Sequence, residues 1–196
     1  MLYLPLGLFV ALAAFFFYAL EVRKERPSDQ LASALIDQPF PVFDLTTLDG
    51  EQVDHRKIMD GEVTLVNVWA SWCPSCVYEH EFLAGLSEAG VRIVGLNYKD
   101  TSENAKKWLG RYGDFYAFHV FDPAGRLGLD LGVYGAPETY LVDAEGIIRY
   151  KRVGVVDERV WNQIRPLYDS LISESTGVQG STTTSREGGA NVDGES

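Results

Sequence analysis

The chain has 196 residues and a mass of 21.8 kDa, which is room for one ordinary folded domain with a hydrophobic core but not for two. Its formal net charge of −11 and pI near 4.7 argue against nucleic acid as a partner, because binding nucleic acid needs clustered Lys and Arg. Hydrophobic residues make up 46% and charged residues 23% of the chain, which excludes a wholly disordered protein and a multi-span membrane protein.

The first segment is apolar enough to meet lipid. Residues 1–20 carry no charged side chain and are long enough to cross a hydrocarbon layer of about 30 Å as a helix. Because this run is longer than that of a cleaved signal peptide, we expect an uncleaved transmembrane anchor over residues 1–21. The residues that follow the span include three basic ones, Arg23, Lys24 and Arg26, which favour a cytoplasmic location for the segment after the span. The expectation of an exported domain therefore rests on its chemistry and not on this charge pattern.

The folded part is expected between two less structured segments. Residues 22–38 have the composition of a linker. Residues 174–196 are rich in Ser, Thr and Gly, and they cannot bury enough apolar surface to offset the entropy of ordering them. The sequence therefore predicts a single domain over residues 39–173, followed by a disordered tail.

Strand and helix patterns alternate in the first half of this domain. Residues 43–48 alternate between apolar and polar side chains and end at the turn signal Asp49-Gly50, which predicts a strand. Residues 63–70 are almost continuously apolar, as expected of a central strand buried on both faces. The next segment predicts a helix that ends at Gly90. Its expected buried stripe consists of Tyr78, Phe82, Leu86 and Ala89.

The alternation continues in the second half. Residues 91–96 and 118–121 predict strands, with an amphipathic helix that ends at Gly113 between them and a short helix after them. Residues 139–153 predict an antiparallel hairpin. Asp157 is the expected cap of a last helix, which Pro166 should kink or break because proline lacks a backbone donor.

Both cysteines lie in the sequence Trp-Cys-Pro-Ser-Cys at residues 72–76, directly after the predicted central strand. A thiolate in the first turn of a helix is stabilised by free backbone N–H groups and by the helix dipole, so Cys73 is the candidate nucleophile. Cys76, one turn later, can attack a mixed disulfide at Cys73 and release the reduced substrate.

Two other uses of the cysteine pair have to be weighed. A four-ligand metal site would need His80 and a further ligand, because the chain has two cysteines. An inert disulfide that closes so short a loop contributes little stability. The ligand count and the loop length both favour thiol-disulfide exchange.

Four segments carry a family resemblance: TLVNVWASWCPSC at 64–76, YEHEFL at 78–83, GLNYKD at 95–100 and GVYGAPETYLVD at 132–143. Together they resemble the CcmG/DsbE (CycY) family of membrane-anchored, thioredoxin-like proteins of bacterial cytochrome c maturation. The resemblance covers about residues 39–173. It implies an α/β thioredoxin-like fold with a central mixed sheet flanked by helices, and it assigns the redox-active disulfide to Cys73 and Cys76.

The resemblance also implies a substrate-binding surface formed by Trp72, Ala136, Pro137 and Glu138, with a cis peptide bond between Ala136 and Pro137. A cis proline that faces the cysteines leaves the neighbouring backbone free to pair with an extended substrate segment. Trp72 is expected to shield the disulfide and to offer apolar area to the partner, although it could equally pack against the sheet.

Acidic and other polar residues complete the expected site. Glu79 and Glu138 match acidic positions of the family and are expected to tune a thiol pKa or to shuttle a proton, whereas the alternative is two solvated surface acids. Asn67 stands where ordinary thioredoxins carry a buried acid. Four other residues have structural expectations: Tyr98 and Tyr134 as wall or core residues, His80 as a helix-surface histidine and His119 as a strand histidine.

The family implies an exported thiol-disulfide oxidoreductase, tethered to the bacterial inner membrane with its globular domain in the periplasm. It would reduce the disulfide of the haem-binding Cys-x-x-Cys-His segment of apocytochrome c. The expected partners are apocytochrome c, the membrane-bound haem-attachment machinery and a transmembrane thiol donor of the DsbD or CcdA type. No glycine-rich nucleotide-binding motif occurs, so we expect no cofactor.

Two alternative functions remain open from the sequence. The first is a general exported reductase of the TlpA or ResA type, with the same fold and a broader set of substrates. The second is a copper-delivery or assembly chaperone that uses Cys73, Cys76 and His80 as ligands.

Overall fold

The computed structural model describes residue 9, residues 12–18 and residues 34–183, with side chains through residue 176. The chain divides into two compact units, residues 1–32 and residues 33–196. In the first unit, residues 12–18 are helical and exposed. The rest of the predicted anchor and most of the predicted linker lie outside the described residues. Among the residues that are described, no helix combines the length and the apolar character that crossing a membrane requires.

Seven strands of the second unit form one mixed sheet in the order β2-β1-β5-β4-β3-β6-β7. The strands are β1 Asp44–Thr46, β2 Gln52–Asp54, β3 Thr64–Trp69, β4 Ile93–Tyr98, β5 His119–Asp122, β6 Glu138–Val142 and β7 Ile148–Val153. Strands β3, β4 and β5 run parallel, whereas β6 pairs antiparallel with β3 and β7 pairs antiparallel with β6. All six residues of β3 are buried, which confirms the predicted central strand.

Four helices flank this sheet: α1 Pro74–Glu88, α2 Ser102–Tyr112, α3 Arg126–Asp130 and α4 Glu158–Thr183. Leu83 and Leu86 of α1 pack with Val160 and Ile164 of α4 in one hydrophobic cluster. A second cluster includes Leu127 of α3. This arrangement of a mixed sheet and flanking helices is the thioredoxin-like α/β fold that the sequence predicted.

The buried face of α1 differs from the predicted stripe. Its buried residues are Cys76, Glu79, His80, Leu83 and Leu86, whereas the side chain of Tyr78 is 79% exposed. The prediction is confirmed for Leu86, and Phe82 packs partly buried against the same cluster, but it was wrong for Tyr78 and Ala89. It followed apolar residues alone, whereas two polar side chains of α1, Glu79 and His80, find hydrogen-bond partners inside the domain and are buried.

The ends of the folded domain also differ from the prediction. Leu35 and Ile36, placed in the predicted linker, pack against the core, and the Asp37 N–H donates to Ile148 O at 2.8 Å. At the other end α4 continues ten residues beyond residue 173, to Thr183. Residues 184–196 of the predicted tail lie outside the described residues.

Helix α4 begins where the sequence predicts but is not broken by its proline. The carboxylate of Asp157 accepts a hydrogen bond from Val160 N at 2.8 Å, as expected of a capping residue. Pro166 lies within the continuous helix. Buried side chains on both sides of it, Ile164 and Tyr168, belong to one hydrophobic cluster, so tertiary packing holds the helix across the missing donor.

Candidate active site

The two cysteines lie where β3 passes into α1. Cys73 is the residue that caps α1, with extended backbone angles, and Pro74 takes the first helical position. A disulfide joins Cys73 and Cys76, whose Cα atoms are 5.5 Å apart. The Cys76 N–H points at Cys73 Sγ at 3.1 Å, so a free helix N–H is directed at the sulfur expected to act as nucleophile.

A groove leads to this disulfide. It has a cavity volume of about 790 Å³, and its lining includes Trp72, Cys73, Pro74 and Tyr78 together with Trp108 and Tyr112 of α2. Each cysteine is only 2% exposed. Cys73 nevertheless lines the groove, which gives a substrate a route to its sulfur.

The loop after β4 holds the segment that precedes Cys73. The Trp72 indole N–H donates to Lys99 O at 2.9 Å while half of the Trp72 side chain stays exposed. The Asp100 carboxylate accepts one hydrogen bond from Ser71 N at 2.6 Å and another from Ser71 Oγ at 2.8 Å. No role of Asp100 was predicted from the sequence, although it is the last residue of the GLNYKD segment.

The Ala136–Pro137 peptide bond is cis, as the resemblance implied. Ala136 packs against the hydrophobic cluster that contains Cys73 and Cys76, so the bond lies beside the disulfide. Pro137 O accepts a hydrogen bond from Gly154 N at 2.9 Å. Within the described part of the chain, the Ala136 N–H and C=O make no backbone hydrogen bond and can therefore pair with another strand.

Glu79 is a buried acid, so the alternative of a solvated surface carboxylate does not hold for it. Its Oε1 accepts a hydrogen bond from Asn67 Nδ2 at 2.8 Å, and its Oε2 accepts one from Val156 N at 2.9 Å. Burial raises the pKa of Glu79 to about 7, against the opposing effect of the two hydrogen bonds. The carboxyl group therefore titrates near neutral pH, one helical turn after Cys76.

Two further residues extend this buried network. Tyr116 OH donates to Asn67 Oδ1 at 2.8 Å, and Asn67 Nδ2 also donates to Thr139 Oγ1 at 3.1 Å. Burial raises the pKa of Tyr116 well above its usual value, so its hydroxyl stays protonated. Asn67 thus presents an amide N–H to Glu79 while its carbonyl is occupied. Neither Tyr116 nor Thr139 was predicted from the sequence to belong to the site.

Glu138 is also buried, and its contacts differ from those expected of a residue that touches substrate. Its Oε2 forms an ion pair with Lys151 Nζ at 3.1 Å, and its Oε1 accepts a hydrogen bond from Tyr134 N at 2.7 Å. The Glu138 side chain has no exposed surface. Any influence of this carboxylate on a bound substrate therefore passes through the loop that precedes it, and the surface-acid alternative is excluded.

The histidines differ in how they match the prediction. His80 is buried rather than on the helix surface, because its ring packs against Trp108 with centroids 4.6 Å apart and its Nε2 lies 3.0 Å from Gly113 O. Burial lowers the pKa of His80, and Nε2 carries the proton because a carbonyl can only accept. In the part of the chain that is described, no three His, Cys, Asp or Glu residues group to hold a metal ion. His119 is a buried histidine of β5, as predicted.

The two tyrosines differ from one another. Tyr98 is buried in the core, as expected. Tyr134 is largely exposed, so it is not a core residue, and it does not line the groove at Cys73. The sequence did not distinguish the burial of these two tyrosines, because Tyr134 lies between turn-forming segments, where no periodic pattern indicates whether a side chain is buried.

A Cys-x-x-Cys disulfide that opens onto a groove, at a strand-helix junction of this fold, defines a thiol-disulfide oxidoreductase. The Redoxin family profile matches residues 36–169. The thiol:disulfide interchange protein DsbE of Allochromatium vinosum is 51% identical over 167 residues, which cover 84% of this chain and 90% of the relative. DsbE of Escherichia coli K12 is 46% identical over 178 residues, covering 89% of this chain and 96% of the relative. The chain belongs to the DsbE (CcmG) family of thiol:disulfide interchange proteins.

Solved structures agree on the fold. The thioredoxin domain of a thiol-disulfide oxidoreductase from Bacteroides vulgatus matches with a TM-score of 0.58 and 22% identity, covering 68% of this chain and 97% of that domain. A thio-disulfide isomerase from Thermus thermophilus matches with a TM-score of 0.57 and 22% identity, covering 68% of this chain and 96% of that protein.

Proposed function

We propose that this oxidoreductase reduces the disulfide of the haem-binding Cys-x-x-Cys-His segment of apocytochrome c, as a membrane-tethered enzyme of the periplasm. One observation carries the proposal: Ala136, which precedes the cis proline, packs on the same hydrophobic cluster as Cys73 and Cys76 and has backbone groups free to pair with an extended chain. Membership of the DsbE family indicates that the substrate is a disulfide. The resemblance to cytochrome c maturation proteins narrows this class to the haem-binding segment of apocytochrome c.

The exchange needs two sulfurs in sequence. In the reduced enzyme the Cys73 thiolate attacks one sulfur of the substrate disulfide, and the other substrate sulfur leaves as a thiolate. The Cys76 thiolate then attacks Cys73 Sγ, which closes the enzyme disulfide and releases the second substrate sulfur. Two electrons pass to the substrate, and each released thiolate takes up a proton.

Glu79 is placed to take part in this proton balance. Cys76 must lose its proton before it attacks, and Glu79 lies one turn further along α1 with a pKa of about 7. A carboxyl group with that pKa can accept or return a proton at neutral pH. The hydrogen bonds from Asn67 and Val156 keep its oxygens in one orientation.

The proposed tether and donor follow from the same chemistry. An exported compartment is oxidising, so each turnover leaves a Cys73–Cys76 disulfide that a transmembrane thiol donor of the DsbD or CcdA type must reduce. Anchoring near membrane-bound haem-attachment machinery raises the effective concentration of the enzyme without new contacts.

The test compares two disulfide substrates. Reduced protein is mixed with an oxidised apocytochrome peptide that contains Cys-x-x-Cys-His, and separately with insulin. We expect faster reduction of the peptide, and we expect the Cys76→Ser variant to accumulate a mixed disulfide with it while Cys73→Ser does not. Equal rates on the two substrates would contradict the dedicated role and favour a general reductase of the TlpA or ResA type.

A further inference from the structure

Behind the cis-proline loop, residues 131–137, lies an ion pair that the exchange chemistry does not use. Lys151 Nζ and Glu138 Oε2 are 3.1 Å apart, and their side chains are 5% and 0% exposed. Glu138 begins β6, directly after Pro137, and Lys151 lies opposite Tyr140 on the neighbouring β7. Removing two charges from water is costly, and such a pair often stabilises a protein no more than apolar side chains of similar volume. Its position therefore calls for an explanation other than stability.

Both members of the pair bind the backbone of the cis-proline loop. Lys151 Nζ donates to Gly132 O at 2.7 Å and lies 3.3 Å from Leu131 O. Glu138 Oε1 accepts a hydrogen bond from Tyr134 N at 2.7 Å. Three backbone groups at the start of the loop are thus fixed by one pair of charges, and the cis bond lies at the other end of the same loop.

The surroundings of the ammonium group leave it little freedom. Lys151 Nζ lies 5.2 Å from the ring centroid of Tyr134 and 5.2 Å from that of Tyr140. Tyr140 OH is 2.8 Å from Leu131 O and 3.0 Å from Glu138 Oε2. The loop is therefore held through several contacts that converge on Lys151 and Glu138.

We propose that Lys151 and Glu138 are positioning residues for the substrate: they hold the cis-proline loop in the shape with which a disulfide-bearing peptide pairs. Neither side chain is expected to touch the reacting sulfurs. The inference rests on the proposed docking of a peptide beside Ala136 and Pro137. Without the pair, the loop would have to be ordered when the substrate binds, and that ordering weakens binding without changing the attack of Cys73.

The test separates peptide docking from thiol chemistry. Oxidation of the reduced protein is followed by tryptophan fluorescence in a stopped-flow instrument, with the apocytochrome peptide, with insulin and with 5,5′-dithiobis(2-nitrobenzoate), a disulfide that lacks a peptide backbone. For Lys151→Met we expect the half-saturating peptide concentration to rise about tenfold, equivalent to about 1.4 kcal/mol, with the limiting rate almost unchanged. The rate with the small disulfide should not change. Lys57→Met, on the exposed 3₁₀ turn after β2, is the matched control.

A double variant distinguishes positioning from stability. Lys151→Met alone leaves Glu138 buried without its counter-charge, so its melting temperature should fall, whereas Lys151→Met with Glu138→Gln should recover much of that loss. In both variants the half-saturating peptide concentration should stay above that of the wild-type protein, because Gly132 O has lost the hydrogen bond from Lys151 Nζ. The inference is overturned if this concentration recovers with the melting temperature, or if the small disulfide slows as much as the peptides. Failure of the wild-type protein on the apocytochrome peptide would contradict the proposed substrate, while the insulin measurements would still decide the role of the pair.

Discussion

Two carboxylic acids of this active site, Glu79 and Glu138, are buried, and partners from other parts of the fold hold both of them. Val156 N, which binds Glu79, lies 77 residues away in the chain, and Lys151 reaches Glu138 only because β6 and β7 pair. Local periodicity contains no information about such partners.

The raised pKa of Glu79 predicts a pH-dependent stability of the oxidised protein. Its pKa is about 7 in the folded state, against an ordinary value of 4.5 for a glutamate side chain. Between these values the folded state holds a proton that the unfolded state has released, so the free energy of unfolding should fall as pH rises from about 4.5 to 7. The shift corresponds to about 3 kcal/mol.

Urea unfolding of the wild-type protein and of Glu79→Gln, at intervals from pH 4.5 to pH 8, measures this effect. The difference in the free energy of unfolding between the variant and the wild-type protein should change by about 3 kcal/mol between pH 4.5 and pH 7. The variant should become the relatively more stable protein as the pH rises. Glu81→Gln, an exposed acid on the same helix, is the control and should give a constant difference. A constant difference for Glu79→Gln as well would show that Glu79 does not titrate there.

At the scale of helices and strands, the sequence predicted the type and order of the elements better than their buried faces and their first and last residues. The strand at Thr64–Trp69 was recognised because a strand buried on both faces leaves an almost continuous apolar run, here residues 63–70. The face of Pro74–Glu88 was misplaced because His80 and Glu79 turn inward. The cysteine site was predictable from a local motif at a strand-helix junction, whereas the loop that supports it comes from a distant strand end.

The contacts of Asp100, in the loop after β4, predict how much this residue contributes to stability. Its two carboxylate oxygens accept from Ser71 N and Ser71 Oγ, so Asp100→Ala should leave both donors without a partner and cost about 1–3 kcal/mol of stability. Trp72, adjacent to Ser71, should become more mobile, which a lower fluorescence anisotropy would show. The control is Asp49→Ala, which removes an exposed ion pair with Lys106 and should cost less than about 1 kcal/mol. Equal costs for the two variants would argue against a specific role of Asp100.

A substitution in the last helix, by contrast, is expected to stabilise the protein. Pro166 lies inside Glu158–Thr183 and is exposed, so it removes a backbone hydrogen bond without offering a buried contact in return. Pro166→Ala should therefore raise the free energy of unfolding, by about 1–3 kcal/mol. Thermal and urea unfolding measure this gain, with Ser170→Ala as an exposed control on the same helix. A loss of stability on substitution would mean that the proline ring contributes to packing.

For the whole molecule, the direction of electron flow depends on how the fold stabilises the oxidised and reduced cysteines. Cys73 and Cys76 are 2% exposed, the chain carries a net charge of −11, and Glu79 can add a buried negative charge one turn away. Each of these features disfavours a thiolate, whereas the helix N–H directed at Cys73 Sγ favours one. The balance of these features predicts that the disulfide form is the more stable, as the proposed role of electron donor requires.

We therefore expect the reduction potential of the Cys73–Cys76 couple to lie nearer the value of thioredoxin, about −270 mV, than that of a dedicated disulfide donor, about −120 mV. Equilibration with dithiothreitol or glutathione buffers measures this potential, and urea unfolding of the two redox forms gives an independent value through the thermodynamic cycle. The oxidised protein should unfold at the higher urea concentration. Glu79→Gln should shift the potential towards less negative values above pH 7, because it removes a buried charge that opposes the thiolate, and Glu81→Gln should not. A potential near −120 mV, with a reduced form more stable than the oxidised one, would contradict a role as reductant and leave the exchange chemistry to run in the opposite direction.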